Sequence, residues 1–233
     1  MDLYDYISKR KSTRKYDIEP LGEDERMQVL QYAKTLKPLY PDIKIEYEIT
    51  SEVKGFLSAK APCYFIISSE EKDGYLENVG FMFQQMDLFL SDRGFGSCWL
   101  GMAKPTFASK TGLVFVIALA FGKAADSPHR ELSEFRRKPL SDISSGYDDR
   151  MEAARLAPSA VNNQNWFFVA NNGSIEVFCK KSAISMVDKT NRIDIGIALC
   201  HLFVATEHSG KDFVFIKETG KEKKGYIYIG TVK

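Results

Sequence analysis

Leu3, Tyr6 and Ile7 fall at helical spacing, which predicts a short first helix running into the basic stretch Lys9-Arg10-Lys11-Ser12-Thr13-Arg14-Lys15. Pro20 and Gly22 then break the chain. Glu23-Asp24-Glu25 suits a first helical turn, and Met27, Leu30, Ala33 and Leu36 supply an apolar face for a second helix. Ile43, Ile45, Tyr47 and Ile49 alternate with polar residues, as in a strand with one buried face. Tyr64 to Ser68 is continuously apolar after Pro62 and predicts a central strand. A long helix follows from about Leu76 to Arg93, closed by Gly94, and the run from Leu113 to Gly122 predicts another buried strand.

The second half of the chain repeats this layout. Met151 to Leu156 predicts a helix ended by Pro158, and WFFVA-NNG-SIEVFC is a hairpin signal, because Asn and Gly tolerate the positive φ of a tight turn. Another long helix is expected from Asp194 to about His208, capped by Gly210, followed by the strands DFVFIK and GYIYIG. Gly80 and Gly94 in the first long helix match Gly196 and Gly210 in the second at a constant offset of 116 residues. At that offset Val79 meets Ile195, Phe81 meets Ile197, Phe83 meets Leu199 and Met86 meets Leu202. Apolar matches between two buried helices are cheap, but the strands before and after each helix favour an internal duplication over coincidence.

Composition narrows the function classes. The 233 residues are 44% hydrophobic and 27% charged, with 32 basic against 31 acidic side chains and a formal charge of +1, so nothing points to a nucleic-acid partner. The longest apolar stretch, Leu113 to Phe121, is far short of a membrane span, and the N-terminus lacks the apolar core of a signal peptide. A cytoplasmic protein with no membrane partner is expected. Cys63, Cys98, Cys179 and Cys200 show no Cys-x-x-Cys pair and sit mostly in apolar segments, as reduced, buried thiols do. His201 and His208, seven apart, lack the carboxylate spacing of a metal motif and read as helix surface or core edge, so no metal is expected.

Two segments carry candidate chemistry. Arg10, Lys11, Ser12 and Arg14 concentrate cations around a hydroxyl at a helix end, where guanidinium forks match phosphate oxygens, although an isolated cluster of this kind also reads as a solvated charge run. Ala157-Pro158-Ser159-Ala160-Val161-Asn162-Asn163-Gln164-Asn165-Trp166 packs amides and a hydroxyl between a helix and an apolar strand, either as donors for a flat heteroaromatic or as a plain polar loop.

Together these segments resemble the nitroreductase family. Arg10, Ser12 and Arg14 match its N-terminal Arg-x-Ser-x-Arg segment, and Pro158, Ser159, Asn162, Gln164 and Trp166 match its Ala-Pro-Ser-x-x-Asn-x-Gln-Pro-Trp segment. Gly94-Phe95-Gly96-Ser97-Cys98-Trp99-Leu100-Gly101 resembles the Gly-rich stretch whose backbone lies beside the reactive flavin nitrogen. Phe135-Arg136-Arg137-Lys138-Pro139-Leu140 resembles the segment whose arginine reaches the flavin phosphate. The order departs from the family, because the Pro-Ser segment follows the one that should end a subunit. Lys37-Pro38-Leu39-Tyr40-Pro41 stands where it is expected, and Asn165 replaces the usual proline before tryptophan.

Family dimers build each flavin site from both subunits, and this chain keeps the basic segment only in its first half and the Pro-Ser segment only in its second. The resemblance therefore implies an α+β fold with a mixed, mainly antiparallel sheet flanked by helices. It also implies two nitroreductase-like halves, 1–143 and 144–233, forming a single-chain pseudo-dimer that can act as a monomer. One composite FMN site would use Arg10, Lys11, Ser12, Arg14, Leu100, Gly101, Arg137, Pro158, Ser159, Ala160 and Asn162. The flavin carries the chemistry, so no catalytic side chain is required. NAD(P)H is the expected electron donor, and a nitroaromatic, quinone or similar flat small molecule the acceptor. Trp99, Phe95 and Trp166 are candidates to line the acceptor space, though aromatics in such segments are more often core. A flavin holder without turnover, or a scaffold that has lost flavin, is the alternative; a structural domain without cofactor ranks last.

Overall fold

The computed structural model describes residues 2–56, 58–107 and 111–233. Helix α1 (Tyr4–Ile7) buries Ile7 and delivers the basic stretch as extended chain. Helix α2 (Glu23–Ala33) opens on its three acidic residues, and the Glu25 carboxylate accepts the Gly22 N–H at 2.8 Å. Its buried residues are Val29 and Ala33, continued by Leu36 just past its end, while Met27 is exposed, so the expected face is rotated. Val29, Ala33 and Leu36 stand at i, i+4 and i+7, a narrower stripe than one that also takes in Met27.

Strands β1 (Ile45–Thr50), β2 (Val53–Gly55) and β3 (Cys63–Ser69) lead into the long helix α3 (Tyr75–Asp92), which Gly94 ends at φ +75°. Then come β4 (Phe95–Leu100), β5 (Ala103–Pro105) and β6 (Val114–Lys123). The first sheet is antiparallel in the order β1-β3-β6-β4, with β3 central as its apolar run requires. The short strands β2 and β5 form a separate antiparallel ribbon.

After β6 the chain passes through α4 (Leu140–Ile143), β7 (Ser144–Ser145) and α5 (Arg150–Arg155) into the hairpin β8 (Trp166–Asn171) and β9 (Ser174–Lys180). Asn172 and Gly173 turn the hairpin at φ +48° and +78°, as a two-residue turn matched to strand twist demands. Helix α6 (Ser185–His208) and strands β10 (Phe215–Ile216) and β11 (Tyr226–Val232) complete the second sheet, ordered β10-β11-β9-β8-β7. Its pairs are antiparallel except β7 with β8. Counting each sheet's own strands alone, the strand before the long helix lies next to the second strand after it, and the first strand after the helix lies outside that one.

The long helices α3 and α6 pack against each other between the sheets, and their faces carry much of the core, including Phe81, Phe83, Met86, Ile197, Leu199 and Leu202. They cross in backbone contact. A Cβ added at Gly80 would overlap the Ile193 carbonyl oxygen, and one added at Gly196 would overlap the Glu77 carbonyl oxygen. The two contacts are reciprocal at the 116-residue offset, since Glu77 corresponds to Ile193 and Gly80 to Gly196. Helix α6 begins nine residues before Asp194, because its first turns are polar or exposed and show no apolar stripe until Ile193. All four cysteines are free thiols, and no helix among the described residues is long and apolar enough to cross a membrane.

Candidate functional site

The basic segment lies along β4. Ser12 bridges Ser97, and the Thr13 N–H donates to the Ser97 carbonyl at 2.8 Å. Gly96 permits this approach, because a Cβ there would come within 2.6 Å of the Thr13 side chain. Arg10 is only 1% exposed, with its Nε 2.8 Å from the Asp87 carboxylate and its Nη2 donating to Ser12 Oγ at 3.4 Å. The Nε–H is not aligned as a hydrogen bond to Asp87, and Nη1 is buried with no hydrogen-bond partner. Lys11 pairs with Asp126 at 3.2 Å, whereas Arg14 stays exposed and, among the described residues, reaches the Ser12 carbonyl alone, at 3.5 Å.

Two further guanidinium groups stand close to Arg10. Arg130 donates from Nε to the Arg10 carbonyl at 2.9 Å, and Arg130 and Arg137 lie 3.9 and 5.4 Å from the centre of the Phe135 ring. Arg137 donates to Asn162 Oδ1 and, at 3.2 Å, to the Leu156 carbonyl, while its Nε is buried and unpartnered. Burial, then the charges of Arg10, Arg130 and Arg155, pull the Arg137 pKa down to about 9; burial and Arg10 pull that of Arg130 down to about 10. Both remain cations at neutral pH, and Asp87 is the one carboxylate that pairs with this trio within 4 Å among the described residues.

The Pro158 loop is held against the Arg137 segment. Asn162 Nδ2 donates to the Arg136 carbonyl at 2.6 Å, and the Lys138 N–H donates to Gln164 Oε1 at 2.7 Å. Pro158 is buried behind α5. Ser159 Oγ accepts the Gln164 N–H at 3.0 Å, and the Ala160 N–H donates to Asp194 at 2.9 Å, so both groups serve the loop itself. Burial pushes the Asp194 carboxyl well above the usual carboxylate range, against the pull of the Ala160 N–H. Val161, Asn162 and Gln164 all have positive φ, at 45°, 59° and 49°. A β-branched residue in that region is strained, and such strain persists only where surrounding structure holds it. The fold thus brings together Arg10, Arg137 and Asn162. No hydrogen bond or ion pair among the described residues joins Lys11, Ser12 or Arg14 to the 158–162 loop.

A buried polar chain behind this cluster escaped sequence reasoning. His201 is fully buried, not at a helix surface or core edge, with Nδ1 2.8 Å from the Ala153 carbonyl and Nε2 3.1 Å from Gln84 Nε2. Burial above all, with the Arg10 and Arg137 charges, pulls its pKa down to about 3, so the ring is neutral. A neutral ring must donate from Nδ1 to the carbonyl, which leaves Nε2 to accept from the Gln84 amide. Gln84 spends its other amide hydrogen on Asp87 at 2.8 Å and accepts Trp99 Nε1 at 3.2 Å; Ser97 Oγ also donates to Asp87. The signal in the sequence was a polar pair three apart, Gln84 and Asp87, inside an apolar helix. Of the aromatic candidates, Phe95 and Trp166 are core residues and Trp99 is partly buried.

Strand β4 connects the cationic cluster to an apolar cleft. From Ser97 under Ser12 to Gly101 is four residues, about 13 Å of extended chain. Leu100 is buried at the end of β4, and Gly101 lies on the wall of a cleft of about 1090 Å³ that also includes Phe56, Met102, Phe115, Ile117 and Ile193. A Cβ at Gly101 would meet nothing within 4 Å, so the backbone there is open to a flat ligand.

This arrangement, a cationic end and an apolar end on one strand, can be compared with known proteins. Residues 2–206 match the family described as "Putative TM nitroreductase". The chain belongs to that nitroreductase family. Among solved structures, "a putative nitroreductase" from Thermotoga maritima superposes with a TM-score of 0.68 at 22% identity, covering 100% of this chain and 92% of that one, which shows the shared α+β fold. A nitroreductase family protein from Clostridium difficile (TM-score 0.49, 19% identity, 64% of this chain and 99% of that one) lies at a distance that carries no argument. The same holds for an FMN-dependent nitroreductase of that organism (0.46, 16%, 56% and 93%). No curated protein matches the sequence.

Proposed function

We propose that this nitroreductase-family chain is an FMN-dependent oxidoreductase with one composite flavin site, using NAD(P)H as donor and a nitroaromatic, quinone or similar flat acceptor. The observation that carries the reading is the pairing of a guanidinium cluster, short of carboxylates, with an open apolar cleft at the two ends of β4. The residues fit the cofactor. Buried Arg10 Nη1 and Arg137 Nε lack partners, as donors reserved for an anion would, and Gly101 leaves backbone uncovered.

Arg10, Arg14 and Arg137 neutralise the phosphate, with Ser12 and Lys11 beside them, and Asn162 orients the Arg137 fork. Leu100 and Gly101 present the wall for the ring. Pro158, Ser159 and Ala160 shape the loop that carries Asn162, rather than contributing free donors. Bound FMN supplies reversible hydride chemistry. The chain's residues place it, exclude water with the apolar cleft, and hold positive charge near the reduced ring.

The same reading makes residues 1–143 and 144–233 two halves of a pseudo-dimer that needs no second chain. The repeated strand order and the reciprocal Gly80 and Gly196 contacts support it. The test is titration of the purified full chain with FMN, followed by absorbance. One FMN per chain is expected, and Arg14→Ala should weaken FMN more than riboflavin, because Arg14 is exposed and contributes little but charge. Protein that ignores FMN at high concentration would sink the proposal, and two FMN per chain would sink the single site. Steady NAD(P)H oxidation with a quinone or nitroaromatic distinguishes an enzyme from a flavin holder.

A further inference from the structure

The rim of the apolar cleft carries three lysines that no carboxylate among the described residues contacts directly. Lys54 on β2 and Lys104 on β5 are directly opposite in the two-stranded ribbon, a pairing of like charges that costs stability. Lys189 on α6 lines the cleft as well. None of the three ammonium groups has a hydrogen-bond or ion-pair partner among the described residues, and no carboxylate lines the cleft.

Beneath the rim the walls are apolar and well exposed for their type: Phe56 is 71% exposed, Met102 55% and Met186 64%. Methionine and phenylalanine at an open surface suit a flat aromatic body, since thioether and ring both pack on π-faces. Lys189 is half-buried against this wall, and burial, opposed by the charge of Glu71, pulls its ammonium pKa below the usual range, so an anion in the cleft would relieve the cost that remains.

We propose that Lys54, Lys104 and Lys189 form an anion-recognition rim, and that the cleft takes a flat aromatic molecule bearing a carboxylate or sulfonate. The binding stands without the flavin. Its assignment to the electron acceptor, which makes that acceptor an aromatic acid, rests on the proposed oxidoreductase function.

The test uses the full chain and two matched fluorescent probes, anionic 1-anilinonaphthalene-8-sulfonate and neutral N-phenyl-1-naphthylamine. Combined Lys54→Gln, Lys104→Gln and Lys189→Gln substitution should weaken the sulfonate about tenfold while leaving the neutral probe unchanged. Lys104→Gln alone should not lower the melting temperature, since it removes a like-charge pair. In the wild type, raised salt should weaken the sulfonate and spare the neutral probe. Equal loss of both probes, or a sulfonate affinity indifferent to the lysines and to salt, overturns the proposal.

Loss of FMN uptake in the lysine variants would overturn it too, by putting the flavin phosphate on this rim. With FMN-loaded protein, the preference in kcat/KM for 4-nitrobenzoate over its methyl ester should fall in the same variants. An effect confined to NADH or NADPH would assign the rim to the donor and overturn the acceptor class. Failure of FMN uptake by the wild type sinks the flavin reading alone, because the probe measurements need no flavin.

Discussion

Arg10 and Asp87 form an ion pair at 2.8 Å in which both side chains are withdrawn from solvent, at 1% and 0% exposure. It joins the N-terminal segment to the middle of α3 and is the point where the cationic cluster meets the buried polar chain. Asp87→Ala would leave Arg10 uncompensated beside Arg130 and Arg137. Breaking a buried pair from one side typically costs about 3–5 kcal/mol, and a loss of that order is expected in chemical denaturation. Excess FMN or inorganic phosphate should recover part of it by returning negative charge; a variant as stable as the wild type would remove Asp87 from this role.

His201 makes stability depend on pH. Its folded pKa, about 3, lies below the unfolded value near 6.5, so as pH falls below about 6.5 the unfolded chain takes up a proton that the folded chain refuses. Stability should therefore drop on acidification by up to about 1.4 kcal/mol per pH unit, until other groups intervene. His201→Gln removes that term. Melting curves at pH 5 and pH 7.5 should differ less in the variant than in the wild type, and an unchanged difference would count against a neutral buried imidazole.

The helix crossing tolerates no side chain. Gly80→Ala places a methyl on the Ile193 carbonyl, and Gly196→Ala places one on the Glu77 carbonyl; both neighbours are backbone and cannot swing away. Each substitution should cost at least about 1–3 kcal/mol, despite alanine's better helix propensity. Similar losses for the two are expected from their reciprocal geometry. A neutral Gly196→Ala would mean the helices can separate at little cost.

Val161 offers the opposite test. It is 89% exposed at φ 45°, so its side chain contributes little packing to offset the strain. Val161→Gly should raise stability by about 1 kcal/mol, read as an increased denaturation midpoint. If it instead lowers FMN affinity at unchanged stability, the valine serves the ligand.

What the sequence reveals follows the range of the interactions. The β8–β9 turn was legible from Asn172-Gly173 and the end of α3 from Gly94, because both depend on local backbone conformation. The basic segment and the Pro158 loop were legible as motifs, and Arg137 does meet Asn162. The ribbon of β2 and β5 was not legible: each strand has three residues, too few for a period, and they pair across about fifty residues of chain. The start of α6 was hidden by the polarity of its first turns. Burial of His201 depends on Gln84, 117 residues away, and no feature near residue 201 announces that partner. The engagement of Ala160 by Asp194, 34 residues further along the chain, is of the same kind.

The close crossing at Gly80 and Gly196 has a mechanical side. Lys189 lies on α6 toward the N-terminus from Gly196 and His201 toward the C-terminus, with the crossing between them. That one backbone contact fixes the height at which α6 sits on α3. The rim of the apolar cleft and the imidazole behind the arginines are therefore set in place by the same pair of glycines.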